Sequence, residues 1–375
     1  MYVKLSSDHM KIVARSKEYA PGMVWMDEEE EQVIGKKVPT SNLYFKETNI
    51  NAKAATVGHD GKVYIIDAVD NKLKVYDDIA DTSKVTEGIT WTGYGNPIQM
   101  RVTSKGVVVF ATYGNPSKVY FLETINSTPI LVHEEYDSGW TKDYGVDAYD
   151  NGLDSFIFAA SYNSSDTPPN AIFSRDGGRT FEIVKTCKPL VEGAPNNHFH
   201  DCAIDPYSGW LWLIEGDIVN ADIWYSVDLG VTWNNLELTD YRQPTVIIPF
   251  AENILMGRDD GFLRPGVDVL KKPLTSLEIE DPGKNHKSLK VLRNDVFSAH
   301  YFARSPISKG EEGYMRFEGG GSEIIYLGTG DGGKTAHVVG FGNGLKGLFG
   351  MDNNYVYGFS ENQQRIVYSN RVIWG

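Results

Sequence analysis

His198 and His200 stand two positions apart in NNHFHDCAIDPYSGWLWLIEGD, a segment that also carries Asp201, Glu215 and Asp217. Successive side chains of an extended strand point to opposite faces, so the two imidazoles share one face and Phe199 takes the other. A pair at this spacing suits a divalent metal ion or a general base. A zinc or manganese centre needs three or four ligands, and Asp201, Glu215, Gln243 and His300 are the residues that could complete one around His198 and His200. The alternative is a hydrogen-bonded pair of histidines with a purely structural role. For catalysis the candidates are His200, Glu215 and Asp217 as acid or base, with Arg258 offering a planar guanidinium that can hold a carboxylate through two parallel hydrogen bonds. Tyr94, Trp140, Asp143, Tyr144, Tyr241, Arg242, Asp259 and Arg264 form the expected ligand-contact set.

The elements that must position these residues are strands. Few windows place apolar residues at helical spacing behind a cap. The chain instead reads as short β-rich runs broken by Gly, Asn, Asp and Pro, among them KVYIIDAV, GVVVFATY, DSFIFAAS, GWLWLIEG, TVIIPFAE, EIIYLGTG and NYVYGFSE. They group into units at 53–92, 97–135, 145–187, 198–240, 245–280, 294–340 and 345–375, which makes seven, with six the alternative count. A repeat of about 40 to 55 residues holding roughly four strands is what a propeller blade requires, and radial repetition leaves only short, protected strand edges. The expected architecture is therefore an all-β β-propeller of four-stranded blades, a single domain over 1–375. The last unit is short and ends in the hairpin-like RIVYSNRVIWG, so segment 1–50, through KIVARS or NLYFKET, is expected to help close the ring with the C-terminal strands. The candidate residues fall in loops that enter first strands or join second strands to third strands, which places them at one end of the ring.

One motif marks the other end. SRDGGRTF at 174 recurs as SVDLGVTW at 226, roughly 50 residues on, keeping Ser174/Ser226, Asp176/Asp228, Gly178/Gly230, Thr180/Thr232 and the aromatic pair Phe181/Trp233. A third copy, TGDGGKTA, keeps Thr329, Asp331, Gly333 and Thr335 without the aromatic residue. The pattern Ser-x-Asp-x-Gly-x-Thr-Trp/Phe resembles the Asp-box, or BNR repeat, of sialidase-like β-propellers. The resemblance implies a turn between third and fourth strands in which the aspartate ties down amides, the glycine takes a backbone conformation other residues resist, and the aromatic residue packs between blades. It also implies that these turns lie opposite the ligand face. A complete sialidase site is not expected, because the N-terminal Arg-Ile-Pro motif is absent and no arginine before the first box suits the carboxylate clamp; Arg101 lies inside a strand.

Thirty-six Lys and Arg against 50 Asp and Glu give a net charge of −14, a field that repels nucleic acid and anionic membranes. No run approaches the roughly 20 apolar residues of a membrane helix, and MYVKLSSDHMKIVARSKEYA lacks the apolar stretch of a signal peptide. The expectation is a chain made in the cytosol, with neither nucleic-acid binding nor membrane insertion. Cys187 and Cys202 read as buried thiols, a bridge between them being the alternative. GTGDGGKT lacks the spacing of a phosphate loop. Aromatic platforms beside planar polar groups suit sugar rings, which present apolar faces and hydroxyl edges. The expected function is glycan recognition or a structural role, with a saccharide or other virion subunits as partners, because a glycan-facing protein without an export signal can leave a cell as part of a phage particle. The alternative is a polysaccharide-degrading enzyme, a glycoside hydrolase or lyase, with its site around His198 and His200. A divalent metal ion is the one cofactor these residues suggest.

Overall fold

The computed structural model describes residues 37–375 apart from 113, 137–138, 141–144, 163–167, 189–197, 218–220, 237–242, 259–265, 272–285, 291–296, 304–309, 320–323, 335, 343–344 and 361–363. Among the described residues every regular element is a strand and every strand pair is antiparallel. The chain runs through β1 (Lys46–Val57), β2 (Val63–Asp67), β3 (Lys72–Tyr76) and β4 (Val85–Thr90), then β5 (Pro97–Thr103), β6 (Gly106–Thr112), β7 (Ser117–Leu122) and β8 (Ile130–Glu135). The short β9 (Gly139–Trp140) precedes β10 (Val146–Asp150), β11 (Ser155–Tyr162), β12 (Asn170–Ser174) and β13 (Glu182–Thr186). Next come β14 (Phe199–Ile204), β15 (Leu211–Glu215), β16 (Asp222–Ser226) and β17 (Asn234–Leu236), and β18 (Pro244–Pro249), β19 (Asn253–Arg258), β20 (Gly266–Lys271) and β21 (His286–Lys290). The last are β22 (Phe297–Ala303), β23 (Gly313–Gly319), β24 (Ile324–Thr329) and β25 (His337–Gly342), followed by β26 (Leu345–Met351), β27 (Tyr355–Ser360) and β28 (Arg365–Asn370).

Each run of four pairs in sequence order, and β9 adds to β11. The exception is β1, whose first half pairs with β28 (Lys46↔Tyr368, Glu47↔Val367) while its second half pairs with β2 (Ala55↔Ile65, Val57↔Val63). Two register irregularities, between Glu47 and Asn51 and between Ala52 and Ala54, let one strand serve both neighbours. First strands lie side by side from β1 through β5, β10, β14, β18 and β22 to β26, and β26 lies beside β1. The final residues do not form a hairpin with β28; Trp374 bridges to Pro39 instead, because β1 occupies that strand edge. The fourth strand of the β18 group is His286–Lys290, beyond the boundary expected at 280.

Burial on both faces explains the nearly continuous apolar runs. Along β15, Leu211 and Leu213 pack with Phe158, Phe173, Phe199 and Cys202 toward the preceding sheet, while Trp212 and Ile214 pack with Ile247, Ile254 and Met256 toward the following one. Cys187 and Cys202 are buried thiols with no bridge between them, the first donating to Glu215 Oε1 (3.0 Å) and the second to the Phe158 carbonyl (3.3 Å).

The repeated motif forms the same turn three times. Ser174 Oγ donates to Asp176 Oδ1 (2.8 Å) and accepts from Gly178 N (2.7 Å), while Asp176 accepts from Thr180 N (2.9 Å) and Thr180 Oγ1 (2.7 Å). Ser226, Asp228, Gly230 and Thr232 repeat this network, and Thr329, Asp331 and Gly333 repeat its first half. The glycine at the fifth place of the motif has φ of 99°, 89° and 77° in the three copies, and a Cβ there would meet Val108, Val184 and Phe250 of the preceding sheet at 2.2, 2.8 and 2.9 Å. Phe181 packs with Val108, Val119 and Phe121, and Trp233 stacks on Phe158 while donating Nε1–H to the Val184 carbonyl (2.9 Å). Where the third copy has Ala336 in place of an aromatic residue, the Trp374 ring covers Gly330. No helix of the described residues is long and apolar enough to cross a membrane.

Candidate functional site

His198 precedes β14 and His200 lies within it, at a register shift between Phe199 and Asp201. The shift matters because it reverses the alternation. Phe199 and Cys202 face one sheet interface and Ala203 the other, leaving His200 as the extra residue whose side chain stands with that of His198. Asp217 arrives from the end of β15, where Gly216 takes φ 76° and donates its amide to the His198 carbonyl (2.8 Å). That bond ties the loop bearing the carboxylate to the strand bearing the imidazoles.

Three groups converge. The Nε2 atoms of His198 and His200 are 3.2 Å apart, His200 Nε2 is 2.9 Å from Asp217 Oδ1, and His198 Nε2 is 3.5 Å from Asp217 Oδ2. Gln243, just before β18, donates its side-chain amide to Asp217 Oδ1 (2.5 Å). Both histidines are buried and Asp217 is half-buried. Burial pushes the Asp217 carboxyl up, but the two imidazoles outweigh it and hold the group well below the usual carboxylate range. Tyr162, at the end of β11, lays its ring against His198 with centroids 4.1 Å apart and is 39% exposed. It is absent from the sequence-derived set, although its place at the end of a second strand is the kind of position that set was drawn from.

Other candidates sit elsewhere. Glu215 is completely buried and its Oε1 accepts from Cys187 Sγ and Lys188 N. Asp201 is likewise buried, accepting from the amides of Gly145 (2.9 Å), Cys202 (2.8 Å) and Ile247 (2.8 Å), and burial pushes its carboxyl up to about 7 against those donors. Arg258 ends β19 with its side chain inside the protein. Tyr94 packs on Trp91 and Tyr120, with ring centroids 5.0 and 5.5 Å away. Asp143, Tyr144, Tyr241, Arg242, Asp259 and Arg264 lie outside the described residues, as do the side chains of Trp140 and His300.

An opening lies at the far ends of the first strands, away from the histidines, lined by His59, Arg101, Asp147, Asp150 and Phe349 among others. Its carboxylates already serve the backbone, Asp147 accepting from Ile204 N (2.6 Å) and Asp150 from Gly152 N (2.7 Å). The His198–His200–Asp217 cluster brings two imidazoles and a carboxylate together.

No protein-family model and no curated protein matches the chain. Solved structures do. The GH74 xyloglucanase from Xanthomonas campestris superposes with a TM-score of 0.57 at 11% identity over 86% of this chain and 55% of that one, so the chain spans about half the xyloglucanase's length. YCF48 from Cyanidioschyzon merolae gives 0.55 at 12% identity, covering 87% and 98% of the two chains. A catalytically inactive virginiamycin B lyase from Staphylococcus aureus, with quinupristin, gives 0.54 at 14% identity, covering 88% and 99%. These likenesses, together with the all-β chain of four-stranded antiparallel sheets, give the protein a β-propeller fold.

Proposed function

We propose that the chain is a saccharide-recognising β-propeller of seven blades, akin to the Asp-box propellers, with its ligand face around Tyr162, His198, His200 and Asp217. Support for seven blades and a closed ring comes from β1, which completes the β26–β28 sheet and begins the β2–β4 sheet. Support for the Asp-box kinship comes from two turns with the same hydrogen-bond network and a third that shares its first half. The observation that carries the saccharide reading is Tyr162, a partly exposed ring set against a cluster of imidazole, carboxylate and carboxamide groups. A sugar offers an apolar face for such a ring and hydroxyls for such a cluster. The test is retention on a glycan array by wild-type protein and Tyr162→Ala. Selective retention lost in the variant supports the reading, and no retention of the wild type on any glycan removes it.

The 2.9 Å contact between His200 and Asp217 favours a second reading, in which the same face degrades a polysaccharide with His200 as base and Asp217 orienting it. Among proteins of similar fold, one is a xyloglucanase and another a lyase in a catalytically inactive form. Reducing ends or unsaturated products released from a polysaccharide panel by wild type, and not by His200→Ala, would select this reading over binding alone.

A further inference from the structure

Two imidazoles and an ionised carboxylate at these distances cannot make all three mutual contacts favourable with the imidazole protons alone. A neutral histidine carries one N–H. With both Nε2 atoms protonated, each can donate to Asp217, but the two N–H groups then oppose each other across 3.2 Å. With only one Nε2 protonated, the lone pair of the other faces the Asp217 carboxylate. Beside an ionised carboxylate, then, the imidazole protons alone leave one of the three contacts with like facing like. A cation among the three groups is attracted by the nitrogen lone pairs and the carboxylate alike.

The dimensions fit. Bonds of about 2.0 to 2.1 Å to histidine nitrogen and carboxylate oxygen place tetrahedral zinc ligands roughly 3.3 Å from one another. The two Nε2 atoms here are 3.2 Å apart, and each lies near one oxygen of Asp217, His200 Nε2 at 2.9 Å from Oδ1 and His198 Nε2 at 3.5 Å from Oδ2. The ligand atoms all lie within 4.8 Å of one another, and they come from the start of β14, from the residue before it and from the loop after β15, which the Gly216–His198 bond holds together. Gln243 stands where an outer partner would orient the carboxylate.

We infer that His198, His200 and Asp217 hold a divalent transition metal, with zinc the ion that this nitrogen-rich donor set suits. Three protein ligands leave a fourth position open, as in zinc centres that engage an exogenous molecule rather than closed structural sites. On the reading that this face takes a saccharide, the open position receives a hydroxyl or carboxylate oxygen of the sugar beside Tyr162.

The experiment uses the full chain stripped with a chelator and titrated calorimetrically with zinc chloride, no saccharide being present. One zinc per chain at micromolar or tighter affinity is expected. His200→Gln and Asp217→Asn each weaken it more than about 100-fold, Gln243→Ala weakens it by about 10- to 100-fold, and His133→Ala on β8 leaves it unchanged. Cobalt(II) replacement gives a fold-independent readout, visible d–d bands that are present in wild type and lost in His200→Gln. Absence of saturable zinc binding by correctly folded wild type overturns the inference, as does equal binding by the His200→Gln/Asp217→Asn double variant. Because the titration contains no sugar, zinc binding with an empty glycan array would sink the saccharide reading alone. Retention of a glycan by a protein that binds no zinc would sink the metal site alone.

Discussion

Replacing Gly178 with alanine tests whether the repeated turns fasten neighbouring sheets or merely reverse the chain. Two costs are separable. At φ 99° an L-residue is strained by about 1–2 kcal/mol. The new Cβ would also stand 2.2 Å from Val108 Cγ2 and 3.2 Å from Ile157 Cδ1. Both partners are completely buried, and Val108 is β-branched on the central β6 of the preceding sheet, so neither can swing away. Forcing such an atom into a packed interior costs about 1–3 kcal/mol. Gly152 provides the control, with φ 86° and nothing within 4 Å of where an added methyl would stand. Gly152→Ala should therefore lose only the backbone part, and Gly178→Ala about 2–5 kcal/mol in all. Equilibrium urea unfolding followed by tryptophan fluorescence measures both. Val108→Ala supplies the coupling test: it destabilises the wild type by removing buried methyls, yet in the Gly178→Ala background it makes room, so the two losses should be less than additive by at least about 1 kcal/mol. Equal losses for Gly178→Ala and Gly152→Ala, or strict additivity with Val108→Ala, would refute the fastening role.

The same turns should make stability depend on acidity. Asp228 is held down at about 2 by the hydroxyl and amide of Thr232, with burial opposing. A carboxyl depressed on folding stabilises above its unfolded value of about 3.9 and loses that contribution as pH falls through about 2. The melting-temperature gap between wild type and Asp228→Asn should thus be wide at pH 7 and narrow near pH 2.5; a gap independent of pH contradicts the assignment. Burial, reinforced by Glu215, pushes the Cys187 thiol up, so neither cysteine should react with a disulfide reagent at pH 8 until the chain unfolds, and rapid labelling of native protein would be inconsistent with the fold.

Strand content, the succession of strand groups and the three turns were legible because each is a local pattern: alternation, punctuation by Gly and Asp, and a recurring motif. What was not legible depends on departures from alternation. His200 sits at a bulge, which strand periodicity does not announce. Glu215 and Asp217, two residues apart, should share a face of a regular strand, but the positive φ of Gly216 separates them, sending Glu215 to Cys187 and Asp217 to the histidines. The double use of β1 is similarly hidden, since a twelve-residue strand with two irregularities reads simply as a long strand. Tyr162 joins the cluster only through its packing on His198, a contact between different sheets that no local pattern carries.

Asp201 explains how the cluster is held in place. A completely buried carboxylate pushed up to about 7 is a local liability, since its charged form has been taken out of water. Its position offsets that. It gathers amides from Gly145 before β10, from Cys202 on its own strand and from Ile247 on β18, so that one side chain spans three consecutive sheets. It is also the residue next to His200. Asp147 works in the same way one sheet earlier, reaching Ile204 at the other end of β14. The strand that carries the histidines is thereby pinned at both ends against its neighbours, and the carboxylate nearest the cluster by sequence acts as its anchor while Asp217, from the adjoining loop, supplies the third converging group. Chemistry at a propeller's loop face needs groups fixed to within a fraction of an ångström although the loops themselves are variable. Here the pinned first strand holds His200 and, through the Gly216–His198 bond, the loop that carries Asp217.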